Sequence, residues 1–195
     1  MWSLDQLNQH AQPDTTVEWA VFEGAKRKGW TDLEQGLYYG QLRNQKRHGK
    51  GIVFATEKDG RANLYECEWN EGTPINHGRC IIITSGWEKY EGTFDCSYLL
   101  NGPGSKHRED GHIYQGGFKH GKYHGQGKVI WKHGGSYEGG WLDDFKHGSG
   151  RQTDEQGGYR EGQWKKDFIS SKPIGIHKYY DKEGKLLKTE NHGGI

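Results

Sequence analysis

The sequence has few aliphatic residues and no long hydrophobic run. Only 31% of its 195 residues are hydrophobic. Its longest aliphatic run, CIIIT at residues 80–84, is far shorter than the ~20 residues that a membrane-spanning helix needs. Residues 1–16 lack the basic segment followed by an apolar run that marks a secretory signal. We therefore expect a soluble intracellular protein.

An excess of charge of one sign is also missing. The 27 basic and 26 acidic residues are interleaved and leave a formal net charge of +1. Such a balance gives no overall field to attract nucleic acid or an anionic membrane. The three cysteines, Cys67, Cys80 and Cys96, form no CxxC pair and are odd in number. A disulfide framework is therefore not expected.

Glycine and aromatic residues are abundant instead. The chain has 32 glycines, 8 tryptophans and 11 tyrosines, and aromatic residues make up 13% of it. The glycine content is about twice the usual ~7%. So many large rings argue against disorder. With few aliphatic side chains to fill a two-layer interior, the composition favours a thin sheet covered by aromatic rings.

One pattern recurs along the chain. An aromatic residue, a glycine and a second aromatic residue stand at offsets 0, 2 and 4, and His-Gly-x-Gly begins at offset 10. Two copies keep this spacing throughout, and four others vary it; the steps between starts are 27, 25, 24, 23 and 23 residues. Such a period indicates a repeat array. The six copies start at Tyr38, Tyr65, Tyr90, Tyr114, Tyr137 and Arg160.

The spacing within a copy predicts a β-hairpin. Offsets 0, 2 and 4 share one face of a strand, and the glycine between the rings leaves a gap for a neighbouring ring. Polar residues such as 142–146 predict the turn, and the second strand is expected to start at His-Gly-x-Gly. Gly-Gly turns such as the one in residues 133–136 lead to the next copy. The same alternation predicts that Gly139 tolerates a side chain less well than Gly140.

The Tyr-Glu-Gly-x-Trp and His-Gly-x-Gly elements resemble the MORN repeat (membrane occupation and recognition nexus) over about residues 38–172. Residues 175–190, with two tyrosines, a DKEG turn and two leucines, are similar to the shorter MORN-variant hairpin. We therefore expect an all-β fold: an elongated single-layer antiparallel β-meander of stacked hairpins with a short N-terminal helical cap.

The expected organisation has three parts. Residues 1–37 form an N-terminal cap, made of a short helix within residues 3–12 and a degenerate hairpin. Residues 38–172 hold six MORN-type repeats. Residues 173–195 form a C-terminal capping hairpin and a tail, which protects the last edge strand.

No catalytic or metal site is expected. His48, His124 and His147 occupy the same slot of different copies, and equivalent residues two strands apart lie nearly 10 Å from each other, too far to share a metal ion. Cys67 and Cys80 are interpreted as small residues in glycine slots. The GQGKV segment lacks the Gly-Lys-Ser/Thr ending of a phosphate loop. We expect no cofactor and no enzymatic activity.

Three function classes follow. The resemblance implies a non-catalytic scaffold or adaptor, such as those of cytoskeletal, ciliary and membrane-junction assemblies. The alternative is a peripheral binder of anionic phospholipid surfaces, through the basic stretches at residues 26–29 and 44–51. An enzyme is disfavoured because the repeats leave no room for the methyltransferase or lipid-kinase domain that some members append. We favour the scaffold, as a structural subunit of a larger cytoskeletal, ciliary or organellar assembly.

The predicted partner site is the aromatic face of the sheet, since exposed apolar faces mark partner sites. We expect this face to be covered by a helix or an extended segment of another protein, by a second copy packed face to face in a homodimer, or by the chain's own N-terminal helix. No nucleic-acid partner is expected. The predicted partner-binding residues are Tyr65, Trp69, Tyr90, Phe94, Tyr114, Phe118, Tyr137, Trp141 and Trp164.

Overall fold

The computed structural model describes residues 14–166 and 170–193. These residues contain fourteen β-strands and no helix. The helix expected within residues 3–12 lies outside them. The strands are β1 (Thr16–Phe22), β2 (Gly36–Arg43), β3 (Lys46–Thr56), β4 (Ala62–Asn70), β5 (Thr73–Ile83), β6 (Trp87–Phe94), β7 (Leu100–Arg108), β8 (Ile113–Lys119), β9 (Lys122–Ile130), β10 (Ser136–Leu142), β11 (Phe145–Thr153), β12 (Tyr159–Lys166), β13 (Ser171–Tyr180) and β14 (Leu186–Asn191).

The fourteen strands follow one another in chain order in one open antiparallel sheet. Each copy of the repeat supplies two neighbouring strands; the copy from Tyr137, for example, supplies β10 and β11. The all-β antiparallel meander expected from the sequence is confirmed.

The chain forms two compact units that divide between Gly104 and Ser105. The first unit holds β1 to β6 and the beginning of β7, and the second holds the remaining strands.

The turns inside the repeats are tighter than expected. Asn44 and Gln45 join β2 to β3 with φ angles of 50° and 61°, and Asp143 and Asp144 join β10 to β11 with 50° and 73°. Two successive positive φ angles are typical of the two-residue type I′ turn, which matches the twist of antiparallel strands. Because the turn takes only two residues, β11 starts at Phe145. The expected start at the His-Gly-x-Gly element is therefore two residues late.

The His-Gly glycine instead forms a bulge within the second strand. Gly148 has a φ of +74°, which favours glycine because it has no Cβ to clash. The register between β10 and β11 shifts between Gly139 and Trp141, opposite this segment. An extra left-handed residue of this kind is characteristic of a β-bulge.

The bulge also explains why the prediction for Gly140 fails. A Cβ at Gly139 would lie 2.5 Å from the Ser149 carbonyl oxygen, as expected for a tight position. A Cβ at Gly140, however, would overlap the His147 carbonyl oxygen. The expectation that Gly140 tolerates a side chain better than Gly139 does is wrong, because the bulged segment of β11 closes that face of the strand.

Candidate functional site

The inner face of the sheet is defined here as the face that carries the first tyrosine of each copy. The Tyr38 hydroxyl donates to the Gln41 carbonyl over 2.7 Å, and the Tyr137 hydroxyl donates to the Gly140 carbonyl over 3.2 Å. The Tyr137 ring lies directly on Gly150, where a Cβ would stand 2.6 Å from the ring carbon Cζ. Burial raises the pKa of Tyr137 to about 12. The last glycine of the His-Gly-x-Gly element, Gly51, Gly127 or Gly150, thus provides the space that the tyrosine ring of its copy occupies.

The second aromatic residue of a copy connects it to the copy before. The Trp69 indole N–H donates to the Gly51 carbonyl over 3.2 Å, and the Trp141 indole N–H donates to the Gly127 carbonyl over 3.0 Å. The Trp141 ring also packs edge-on against Tyr114 of the preceding copy, with centroids 5.5 Å apart. Hydrogen bond and ring contact together link neighbouring copies.

A residue at offset 9 covers the tyrosine ring. In the copy from Tyr114 this residue is Tyr123, which stacks on that ring at 3.6 Å between centroids and an interplanar angle of 8°. In the copy from Tyr137 it is Lys146, with its Nζ 4.8 Å from the ring centroid. Arg47 occupies the same slot over Tyr38, at 5.9 Å. We call this position the cover slot.

The first unit adds a further cover from its own loops. Tyr98, in the loop between β6 and β7, packs against Phe22, Tyr65 and Trp69 with centroid distances of 5.2–5.7 Å. The Tyr65 hydroxyl donates to the Tyr98 carbonyl over 3.2 Å. The chain therefore closes the inner face of this unit with its own side chains.

An ion pair holds the segment between β1 and β2 over the same face. Arg27 and Glu57 are joined over 2.8 Å, and both side chains are only 2% exposed. Arg61 contacts the second oxygen of the same carboxylate over 2.6 Å, and Arg27 lies 3.4 Å from the Tyr65 hydroxyl. Because a buried charge is stable only when paired, this contact fixes the segment in place.

Because of these covering residues, most of the nine predicted partner-binding residues are buried. Eight of them are no more than 8% exposed: Tyr65, Trp69, Phe94, Tyr114, Phe118, Tyr137, Trp141 and Trp164. The ninth, Tyr90, is half-buried, and its hydroxyl donates to Glu88 over 2.6 Å. Binding through these rings stays a prediction, and a partner would first have to displace the residues that cover them.

The opposite, outer face of the first unit is apolar. Five aliphatic or aromatic residues on five successive strands lie directly opposite one another in the strand registers. Three of them are 47–51% exposed, and the other two are half-buried. We call this set the outer apolar row; its members are Val21, Leu37, Phe54, Leu64 and Ile81.

Further apolar side chains border this row. Trp19, on β1, is 68% exposed and packs against Tyr39 with ring centroids 4.8 Å apart. Ile83 and Trp87 are paired across β5 and β6 and are 55% and 41% exposed. Contiguous apolar surface of this kind is the feature that marks interaction sites.

The outer face of the second unit carries charges two residues along each strand from the positions equivalent to the outer apolar row, which are held by Ile130, Ser136, Thr153 and Tyr159. Lys128 and Glu138 form an ion pair over 3.1 Å, and Arg151 and Glu161 form another over 2.6 Å. Lys178 lies opposite Glu161 on the next strand. Basic and acidic side chains thus alternate from strand to strand, as on an ordinary solvated surface.

The outer apolar row was missed from the sequence, although one signal for it was present. The residue before the first tyrosine is a leucine in the first two copies, Leu37 and Leu64, but Lys89 and Ser136 stand there in two later copies. Because the repeat pattern is defined by the inner positions, variation between them is easily overlooked.

The basic stretches considered for lipid binding are largely engaged within the chain. Arg27 is buried against Glu57, and Arg47 lies over the rings of Phe22, Tyr38 and Trp69. On the surface, Lys26 pairs with Asp32 over 2.7 Å and Lys46 pairs with Glu71 over 3.1 Å. Few positive charges of these stretches remain available to anionic headgroups.

Two cysteines lie among the rings of the first unit. Burial raises the pKa of both the Cys67 and Cys80 thiols, so neither is ionised at neutral pH. Since the thiolate is the nucleophilic form, this environment gives them no reactivity. Among the described residues, no three His, Cys, Asp or Glu side chains lie together in a way that could hold a metal ion.

Comparison with known proteins identifies the repeats. The MORN repeat family model matches residues 38–53, 114–136 and 137–159, which are three of the six copies found in the sequence. No curated protein matches the chain. Within residues 14–166 and 170–193 no helix is long and apolar enough to cross a membrane.

Proposed function

The chain is a MORN-repeat protein, and on that premise we propose that it is a non-catalytic intracellular scaffold that binds a protein partner. It serves as a structural subunit of a larger cytoskeletal, ciliary or organellar assembly. MORN repeats generally occur in scaffold or membrane-binding proteins, and the outer apolar row is the observation that favours a protein partner here.

We place the partner on the outer apolar row rather than on the inner aromatic face. Phe54 lies at the centre of the row, with Leu37 and Leu64 directly beside it on the neighbouring strands. All three side chains reach solvent, whereas most of the predicted inner-face residues are covered. Apolar groups that are already exposed lose only water on binding, so they contribute to affinity without rearrangement of the protein.

The charges around the row favour a protein over a lipid surface. Beside the row, Arg79 is paired with Glu66, and Lys89 is paired with Glu91. Attraction to an anionic membrane requires unpaired basic residues clustered near the surface. Mixed, paired charges around an apolar centre are instead typical of protein interfaces, which have an apolar core and a polar rim.

Affinity purification with a matched pair of variants tests this proposal. Phe54→Lys places a charge in the middle of the row, while Ile130→Lys makes the same change at the equivalent position of the second unit, where the isoleucine is 41% exposed. Each tagged variant is used to isolate partners from native extract, which are identified by mass spectrometry.

We expect Phe54→Lys to lose the partner and Ile130→Lys to retain it, with circular dichroism unchanged in both. A Phe54→Lys variant that is folded and still binds the partner contradicts the proposed site. If the partner is lost only when Trp141 of the inner face is replaced, the inner aromatic face is the interface.

A further inference from the structure

Strand β1 is, among the described residues, an edge strand with little of the usual protection. Its only neighbouring strand among these residues is β2, and the seven-residue register between the two is unbroken. Natural edge strands are protected by charged side chains, proline or a bulge; β1 has no lysine, proline or bulge, and Glu18 is its one charged residue. Its outer-face residues are Val17, Trp19 and Val21, and the last two are 68% and 49% exposed.

The opposite edge of the sheet is built differently. Strand β14 carries Lys188 and Glu190, which form an ion pair over 2.7 Å. Its register with β13 is broken between Tyr179 and Tyr180, so Leu187 has no residue opposite it. Charges and a bulge are the devices that prevent pairing with another chain. Among the described residues, the contrast leaves β1, unlike β14, open to strand pairing.

We propose that β1 pairs with β1 of a second copy of this chain, antiparallel, about a two-fold axis through Trp19. This register pairs all seven residues of the strand with the seven of the second copy. Val17 then lies opposite Val21 of the second copy, and Glu18 lies opposite Ala20. Isologous pairing of this kind is how most two-fold dimers form.

The side-chain pattern selects this register over its neighbours. An axis through Glu18 would place two carboxylates directly opposite each other, which destabilises an antiparallel pair. An axis through Trp19 instead sets apolar residues against apolar residues on the outer face. Val21, the first member of the outer apolar row, then lies opposite Val17 of the second copy, so the apolar residues of the two outer faces meet at the pairing. The inference is independent of the partner proposed for that row.

Disulfide trapping tests the register directly. Residues that face each other across the axis have Cα atoms ~4.5–5.5 Å apart, within the range for a disulfide bond. We expect Trp19→Cys to give a disulfide-linked dimer under mild oxidation. Val21→Cys is the control, because the two copies of residue 21 would be more than ~13 Å apart. Both variants carry Cys96→Ser, since Cys96 is exposed and Cys67 and Cys80 are buried.

Sedimentation velocity of the 195-residue chain gives a second test without engineered thiols. We expect a dimer that Trp19→Lys converts to a monomer, because two lysines would then face each other, while Ile83→Lys leaves it intact. Ile83 is 55% exposed but lies away from β1. A chain that is monomeric at about 100 µM overturns the proposal. Equal cross-linking of the two cysteine variants, or a dimer disrupted by Ile83→Lys alone, also overturns it, the latter in favour of face-to-face packing.

Discussion

The two units of the chain have the same inner face and different outer faces. In both, a tyrosine ring lies over a glycine of the second strand, as Tyr38 does on Gly51 and Tyr137 on Gly150. On the outside, the first unit has the outer apolar row, whereas the equivalent register positions of the second unit include the polar residues Ser136 and Thr153. The repeat motif constrains only the inner positions. Residues between them are free to vary, and they give each unit its own surface.

The units also differ in how the inner face is covered. In the first unit, loop residues such as Tyr98 and Arg27 lie over the rings and are themselves buried. In the second, the cover comes mainly from the cover-slot residues Tyr123 and Lys146. A loop held by a buried ion pair is a stronger constraint than a side chain lying on a ring.

The largest expected effect comes from breaking the buried ion pair of the first unit. Glu57→Gln keeps the shape of the side chain but leaves Arg27 buried without a counter-charge, which costs about 3 kcal/mol of unfolding free energy. Glu161→Gln removes a carboxylate from a pair whose side chains are 54% and 42% exposed, and it should cost less than about 1 kcal/mol. Urea unfolding followed by tryptophan fluorescence measures both; equal losses would contradict the difference between the units.

Adding a side chain at the glycine beneath the tyrosine ring should cause a smaller loss of stability, and this loss should be the same in the two units. A Cβ at Gly51 would overlap the Tyr38 ring, and one at Gly150 would do the same with Tyr137. Gly51→Ala and Gly150→Ala should therefore each cost roughly 1–3 kcal/mol, the usual penalty for overpacking. Thermal melting of the two variants checks this. A variant that melts like the parent chain would show that its unit does not depend on the ring–glycine contact.

The smallest expected effect is the pH dependence that the cover-slot lysine of the second unit contributes. Burial, with a further contribution from the charge of Arg160, lowers the pKa of Lys146 to about 8 from its ordinary 10.5. The unfolded chain then binds more protons at this residue between about pH 8 and 10.5, so the unfolding free energy rises with pH across this window. Lys146→Met should remove that rise.

The comparison with the first unit gives the control. Arg47 fills the same cover slot with a guanidinium group, a side-chain type that does not lose its proton in proteins. From about pH 7.5 to 9.5 the parent chain should gain stability relative to Lys146→Met but not relative to Arg47→Met. Contributions of buried tyrosine and cysteine groups are common to all three proteins and cancel in the difference. If the difference in unfolding free energy between the parent chain and Lys146→Met did not change with pH, the lysine would be solvated.

The sequence predicted the strands because the pattern that defines them is local. Alternation of rings and glycines identifies a strand face, and the step of 23–27 residues gives two strands per copy. The bulge at Gly148 could not be read in this way, because a glycine required for its φ angle and one required for space look identical in a sequence. For the same reason, a side chain was predicted to be better tolerated at Gly140 than at Gly139.

The cover of the aromatic face could not be predicted for a different reason. A single-layer sheet was expected to leave part of this face open or covered by another element, and the cover slot and Tyr98 are what covers it. Which loop folds over which ring depends on contacts between distant parts of the chain; Tyr98 meets Phe22 across 76 positions (98 − 22). The outer apolar row, by contrast, could have been found by comparing the variable positions of successive copies.

The hydrogen bond from Trp141 to the Gly127 carbonyl has a consequence for how this protein can change over evolutionary time. It connects a copy only to the copy immediately before it, and the contact between Trp141 and Tyr114 has the same reach. A gene duplication that inserted one more 23-residue copy after residue 136 would therefore meet a complete set of neighbours on both sides. The number of copies is free to drift by whole units, while a gain or loss of a few residues inside a strand would break the register.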